Sequence, residues 1–293
     1  MKILLLGAEG QLGFELRGSL GCIGSLTALG RAECDLARPE SLEQVVRAYA
    51  PDLLVNAAAY TDVDGSEAVG SPAHAINGAA VAELGRLANA ERFGLIHVST
   101  DFVFDGEARA PYREDDATAP VNAYGVSKLA GEQALKALEA PAIVLRTAWV
   151  YGLRRKSFVA TIVRLASERS ELSVVDDQFG NPTFCRDLSN GIAAIATILR
   201  PDPFGAATAH RGVYHLAGSG VASRYELAKL TVERHPRRET LKVRTLSAIP
   251  SDAMPLPARR PLRTPLDCSK VQRTFGVALP DWRDALERAL ASL

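Results

Sequence analysis

The sequence predicts a doubly wound α/β fold, a parallel sheet covered by helices on both faces, followed by a smaller and irregular α/β domain. Three observations lead there. Short apolar runs alternate with amphipathic stretches as far as Val150, and three glycines stand where the first run meets the first helix. After Tyr151 the alternation loosens, and from His235 onward proline accumulates. Strands buried on both faces read as continuous apolar runs, and strand, helix, strand repetition implies crossover connections in a parallel sheet.

Taken in order, Lys2 to Leu6 is the first strand and residues 11–20 the helix that follows it. Further strands are expected at 26–29, 53–56, 94–99 and 142–146. Helices are expected at 41–49, 72–92 and 123–138, where apolar residues recur at steps of three and four. In the second half, 172–175 and 212–216 read as strands able to rejoin the main sheet. Short helices are expected at 186–199, 224–233, 269–275 and 281–290. Pro236, Pro250, Pro255, Pro257, Pro261 and Pro265 argue against long strands near the C-terminus. The expected division is a dinucleotide-binding domain over 1–150, which segments near 172–199 and 212–216 could rejoin, and a substrate domain over 151–293.

Composition narrows the function. A chain of 293 residues with 47% apolar side chains can bury a sizeable core. Its 34 basic and 34 acidic residues leave no net charge, there is no basic run, and the few aromatics follow no pattern, so nucleic acid is not an expected partner. Gly7 cuts off the apolar start, and nowhere do about 18 apolar residues run together, so neither a signal peptide nor a membrane span is expected and the protein reads as cytoplasmic. Cys22, Cys34, Cys185 and Cys268 are scattered, without a Cys-x-x-Cys pair or a histidine at ligand spacing. Neither a disulfide framework nor a metal site is expected.

The opening stretch places Gly7, Gly10 and Gly13, with Gln11 and Leu12 between them, at a strand-to-helix turn. Without Cβ atoms the backbone can approach a pyrophosphate, and the helix N-terminus presents free N–H groups to it, as in a Rossmann-type fold. The spacing is Gly-x-x-Gly-x-x-Gly, not the commoner Gly-x-Gly-x-x-Gly. At the end of the second strand stands Arg31, a cation suited to a 2′-phosphate, which favours NADPH; Glu33 and Asp35 keep NADH open. Asp35, beside Leu36, either accepts from the adenine amino group or caps the turn before the helix near Ser41. The small residues Asn56, Ala57, Ala58 and Ala59 let the chain pass under a cofactor, or simply pack against a helix.

Ser99, Thr100 and Asp101 follow the fourth strand and bring hydroxyls to the carboxyl edge of the sheet, where open α/β folds bind ligands. Tyr124 and Lys128 are four apart on a predicted helix and share one face. A phenol is a poor acid or base at neutral pH unless a neighbouring ammonium lowers its pKa, which Lys128 is placed to do. Tyr225 and Lys229 repeat the spacing, but no comparable hydroxyl-bearing strand end precedes them, so they read as an ordinary helix-face pair.

With Gly7, Gly10 and Gly13, then Ser99-Thr100-Asp101, then Tyr124-x-x-x-Lys128, the chain resembles an extended short-chain dehydrogenase/reductase. The runs Asn56 to Thr61 with Val63-Asp64, Ser99 to Gly106, Arg146 to Gly152, Asp177 to Thr183 and Arg259-Arg260-Pro261 are similar to the dTDP-4-dehydrorhamnose reductase branch, over nearly the whole chain. Asp62, Gly65 and Phe102 depart from that branch's pattern.

The resemblance implies reduction of the 4-keto group of dTDP-4-dehydro-β-L-rhamnose by NAD(P)H, giving dTDP-L-rhamnose. Thr100 would orient the ketone, Tyr124 would donate the proton, and Lys128 would tune Tyr124 and bind the ribose. Asn77, Ser99, Tyr60 and the Asn56 to Ala59 segment would lie near the cofactor. Asp101, Phe102, Val103 and Trp149 would face the sugar, with Gln178 and Arg260 serving the nucleotide half, Arg260 by pairing with a diphosphate. A 4-ketoreductase on a related deoxysugar and a non-catalytic NADP-binding regulatory subunit are the alternatives, and a homodimer is left open.

Overall fold

The computed structural model describes residues 1–293, the side chain of Pro39 excepted. Its main sheet contains β1 (Lys2–Leu6), β2 (Ser25–Leu29), β3 (Leu53–Asn56), β4 (Gly94–Thr100), β5 (Ala142–Thr147) and a sixth strand, Gly212–His215. All pair in parallel, in the order sixth strand, β5, β4, β3, β1, β2. The winding direction reverses beside β1, which opens a crevice at the carboxyl ends of β1 and β3.

Alternation along each strand builds a core on both faces. Ile3, Leu5, Leu53, Val55, Ile143 and Leu145 point to one side and pack with Leu12, Leu16 and Leu20 of α1 (Gln11–Gly21). Leu4, Leu6, Leu54, Leu95 and Val144 point to the other. They meet Leu42 and Val46 of α2 (Pro39–Tyr49), Val81, Leu84 and Leu87 of α3 (Ala80–Glu91) and Leu135 of α4 (Ala123–Ala137). Each fully buried leucine or isoleucine stabilises this arrangement by about 1.5–3 kcal/mol relative to exposure.

The helix expected at 72–92 divides. It opens as a π turn at Ala75–Ala79 and becomes α-helical at Ala80. The wider turn carries Asn77, whose amide bonds both backbone groups of Tyr60 and so competes with regular winding.

Two helices have no counterpart among the sequence expectations: α5 (Phe158–Glu168) and Pro203–Ala209. Ser157 and Asp202 cap them, accepting from the Ala160 and Gly205 N–H groups respectively. Between them lies α6 (Cys185–Leu199), whose Leu188, Ile192, Ile195 and Leu199 pack on the α1 side of the main sheet.

Of the two strands expected to be able to rejoin the sheet, Gly212–His215 pairs with β5, whereas Glu171–Val175 does not enter it. That strand pairs in parallel with Thr245–Ile249 instead. The edge beside β5 is already taken, and Leu172 and Val174 bury against Ala166 and Ile162 of α5. Thr245–Ile249 is thus a five-residue strand within the proline-rich region, lying between Pro236 and Pro250 rather than across either. Ser269–Phe275 returns to the main sheet, burying Val271 and Phe275 in the core beneath β1 and β5. No helix among the described residues is long and apolar enough to cross a membrane.

Candidate active site

A cavity of about 960 Å3 runs along the carboxyl ends of the main sheet, between it and the second-half elements. At one end lies the glycine turn. Gly7 has φ of +81°, and a Cβ there would stand 2.6 Å from the Ala58 nitrogen; a Cβ on Gly13 would stand 2.0 Å from the Gly7 carbonyl oxygen. Neither position admits a side chain. α1 then begins without a side-chain cap and without an acidic residue in its first turn, so its N-terminal N–H groups are available to an anion. Gly13→Ala is expected to cost about 3 kcal/mol of folding stability, since the clash is with backbone; chemical denaturation checks this, and an unchanged midpoint would contradict it.

Gly7, Gly10, Gln11, Leu12, Arg31, Asp35 and Leu36 all line the cavity, as do Ala57, Ala58, Ala59 and Tyr60. Arg31 is exposed, with Nε 3.7 Å from Asp35 Oδ1. Asp35 caps the turn, its Oδ1 accepting from the Ala37 N–H at 3.1 Å, while also facing the cavity. Three expected cofactor residues, Gly13, Asn56 and Asn77, do not line the cavity. Asn56 is buried beneath it, its Oδ1 accepting from Ala58 N–H and its Nδ2 donating to His97 Nδ1. Asn77 is tied to Tyr60 and donates to Ser127 Oγ. Both hold the cavity floor from behind because each amide is fully engaged by buried partners. Gly13 likewise acts by packing on Gly7. Ser99 is in the wall, but its hydroxyl donates to Glu132 Oε1 at 2.5 Å.

Thr100, Tyr124 and Lys128 converge at the middle of the cavity. The reason is local. Asn122 caps α4 by accepting from Gly125 N–H, and a Cβ on Gly125 would stand 2.1 Å from the Phe102 carbonyl oxygen, so the first turn of α4 presses directly on the segment after β4. Tyr124 thereby lies beside Thr100 and meets the Phe102 ring edge-on, with centroids 5.7 Å apart. One turn on, the buried Lys128 donates from Nζ to the Val98 carbonyl at 2.7 Å and stands 3.4 Å from His97 Nε2.

Burial dominates the electrostatics. It pushes the Tyr124 phenol up to about 12; the Thr100 hydroxyl opposes this and the negative charge of Asp101 adds to it. Lys128 is not among the groups that shift the phenol; its ammonium is turned toward Val98 and His97. Lys128 is itself lowered to about 8 by burial, against the favourable field of Glu132. Asp101 is raised to about 6 by burial, with the Thr264 and Thr100 hydroxyls and Arg224 opposing. His97 is held neutral by burial and by Lys128.

Asp101, Phe102 and Trp149 line the cavity on the side away from the glycine turn. Val103 does not; it is fully buried with Phe104, Ala148 and Leu266. Residues 101–103 form one 3-10 turn, which sends Phe102 into the cavity and Val103 into the core. Gln178 donates to Ser251 Oγ, and Arg260 is tied to Asp64 Oδ2 at 2.9 Å and to the Ala258 carbonyl. Neither side chain lines the cavity, since each has a nearer partner supplied by a distant segment. Tyr225 donates to the Leu246 carbonyl and Lys229 is exposed, as an ordinary helix pair should be.

Sequence reasoning missed Arg224. It lines the cavity, its guanidinium 3.6 Å above the Trp149 ring and 5.0 Å from that of Phe158. Its one sequence signal is the capping box Ser223-x-x-Glu226, which fixes Arg224 at the first position of the helix Arg224–Glu233.

Three comparisons bear on this site. The family model described as the RmlD substrate binding domain matches residues 1–293. A dTDP-4-dehydrorhamnose reductase of Burkholderia thailandensis is 45% identical over 292 residues, covering 98% of this chain and 97% of the relative. One from Escherichia coli K12 is 41% identical over 300 residues, covering 100% and 98%. Among solved structures, the dTDP-4-dehydrorhamnose reductase of Bacillus anthracis in complex with NADP superposes with a TM-score of 0.88 at 30% identity, covering 100% of this chain and 99% of the other. The glycine turn and the Thr, Tyr, Lys cluster thus stand in a chain that matches these reductases from end to end: it belongs to the dTDP-4-dehydrorhamnose reductase family.

Proposed function

We propose that the chain reduces the 4-keto group of dTDP-4-dehydro-β-L-rhamnose with NADPH, giving dTDP-L-rhamnose. The observation that carries this reading is the placement of Thr100, Tyr124 and Lys128 in the same cavity as the glycine turn. A dinucleotide fits that turn: Cβ atoms would fill the cradle at Gly7 and Gly13, and the first turn of α1 has no other anion to serve. Arg31 at the exposed rim favours a 2′-phosphate. When bound, the reduced nicotinamide supplies the hydride.

The chain's own residues do the rest. Thr100 and Tyr124 hold the ketone oxygen between two hydroxyls, so that the carbonyl is fixed before reaction. Because burial and Asp101 raise its pKa, Tyr124 stays protonated at neutral pH and serves as an acid. The alkoxide formed at C4 is a stronger base than a phenolate, so proton transfer from the Tyr124 hydroxyl to that oxygen runs downhill. Lys128, anchored on Val98, presents an ammonium to the ribose hydroxyls.

That ammonium discharges as pH rises through about 8. Cofactor kcat/KM is therefore expected to fall on the alkaline side of about 8, and Lys128→Met to abolish that limb; a profile flat to pH 10 in the parent enzyme would contradict it. Stability moves the opposite way. The folded pKa lies below the unfolded value of about 10.4, so the cost of burying the charge is present below about 8 and is relieved as pH rises between the two values.

Loss of NADPH absorbance with dTDP-4-dehydrorhamnose as sole oxidant tests the reading, and NMR of the product separates it from a 4-ketoreductase of other stereochemistry. No oxidation of NADPH would refute it.

A further inference from the structure

A reductase acting on a nucleotide sugar holds two diphosphates, one in its cofactor and one in its substrate. The glycine turn and the start of α1 suit the first. The second needs a separate cation on the far side of Thr100 and Tyr124, and Arg260 is occupied by Asp64. Arg155 and Lys156 stand exposed at the rim. Arg224 is different: it is set into the cavity wall, clamped on Trp149, and makes no ion pair with any described carboxylate within 4.0 Å.

The clamp is built on both sides. Trp149 sits on a left-handed backbone at φ of +46°, and its indole lies so close to Gly180 that a Cβ there would approach to 2.6 Å. The capping box at Ser223 and Glu226 fixes the helix that carries Arg224. Asp101, the nearest acidic group to influence Arg224, gives its oxygens to the Thr264 and Thr100 hydroxyls at 2.5 and 3.2 Å. Burial lowers Arg224 only to about 10, so it is cationic at neutral pH. Arg224 is half-buried against apolar rings and has no carboxylate to pair with, so an anion entering the cavity finds its planar fork free to meet two phosphate oxygens at once.

We propose that Arg224 binds the diphosphate of the nucleotide sugar and, stacked on Trp149, sets how deeply the sugar reaches toward Thr100 and Tyr124. This role rests on the reductase reading of the same cavity. Arg224 is a positioning residue for the substrate and leaves the cofactor end untouched.

Calorimetry on the binary complex with NADP+ tests it, using dTDP and thymidine as probes. Arg224→Met is expected to weaken dTDP by roughly 10- to 100-fold, the range for hydrogen bonds to a charged group, with thymidine and NADPH affinity unchanged. Arg224→Lys keeps the charge but loses the fork and is expected to fall between; it carries the test should the Met variant misfold, as NADPH binding will show. Unchanged dTDP affinity, or equal losses for dTDP and thymidine, overturns the assignment, and so does a parent enzyme that fails to bind dTDP. If dTDP affinity falls as expected but the parent enzyme oxidises no NADPH with the keto sugar, the diphosphate subsite stands and the reductase reading falls.

Discussion

Tyr124→Phe is expected to bind the reduced cofactor normally and to lose about 10²- to 10⁴-fold in kcat, the usual contribution of a positioned proton donor. The substitution removes one oxygen and keeps the ring, so the edge-on contact with Phe102 survives. Stability should change little, because the phenol oxygen is not what anchors α4; the Asn122 cap and the Gly125 contact are. Stopped-flow measurement of hydride transfer, together with a cofactor titration, separates loss of chemistry from loss of binding. Near-normal ketone reduction by this variant would remove Tyr124 from the mechanism, while loss of cofactor binding would make it a structural residue.

The second large effect is on stability. Glu132→Ala is expected to cost about 3–5 kcal/mol, because it strands the Arg146 guanidinium in the interior. In the native protein Arg146 bonds Glu132 through Nε and Nη2 at 2.7 to 3.1 Å, the Ser99 hydroxyl completes the carboxylate, and both side chains are only 4% exposed. The paired replacement of Glu132 by Leu and Arg146 by Met removes both charges and should recover most of the loss. Denaturant titration of the single and double variants checks this, and equal costs in the two would show that packing, not charge, is at stake. Glu132 also favours the charged form of Lys128. Its removal should therefore move the alkaline limb of the activity profile to lower pH.

Much of the fold was legible because buried parallel strands advertise themselves. β1, β3 and β5 each hold an unbroken apolar run, Ile3 to Leu6, Leu53 to Val55 and Ala142 to Leu145, and their observed limits fall within a residue of those expected. The Thr100, Tyr124 and Lys128 cluster was legible for a similar reason: a strand end and one helix face are fixed by local periodicity. What failed depended on distant segments. Nothing near Arg260 in the chain announces Asp64, and nothing near Gln178 announces Ser251, yet those partners decide where the two side chains point. Val103 was expected to face the sugar from resemblance alone, and nothing local shows that the 3-10 turn over 101–103 aims its side chain into the core. Arg224 went unseen because a lone arginine at a helix start carries no local signal of a binding role, and the rings that hold it, Trp149 and Phe158, lie far away in the chain. The strand at 171–175 shows that a good strand pattern does not name its partner.

The sixth strand and the helix Ser269–Phe275 have a consequence for synthesis on the ribosome. Both complete the first layer of the molecule, yet they are delivered after Leu199, when most of the chain has already been translated. Until Gly212 emerges, the nascent polypeptide carries β5 with one side unpaired, an open template for aggregation. A fragment truncated at Val150 would keep that exposed edge permanently, so the amino-terminal half should need its late-arriving tail to become soluble by itself.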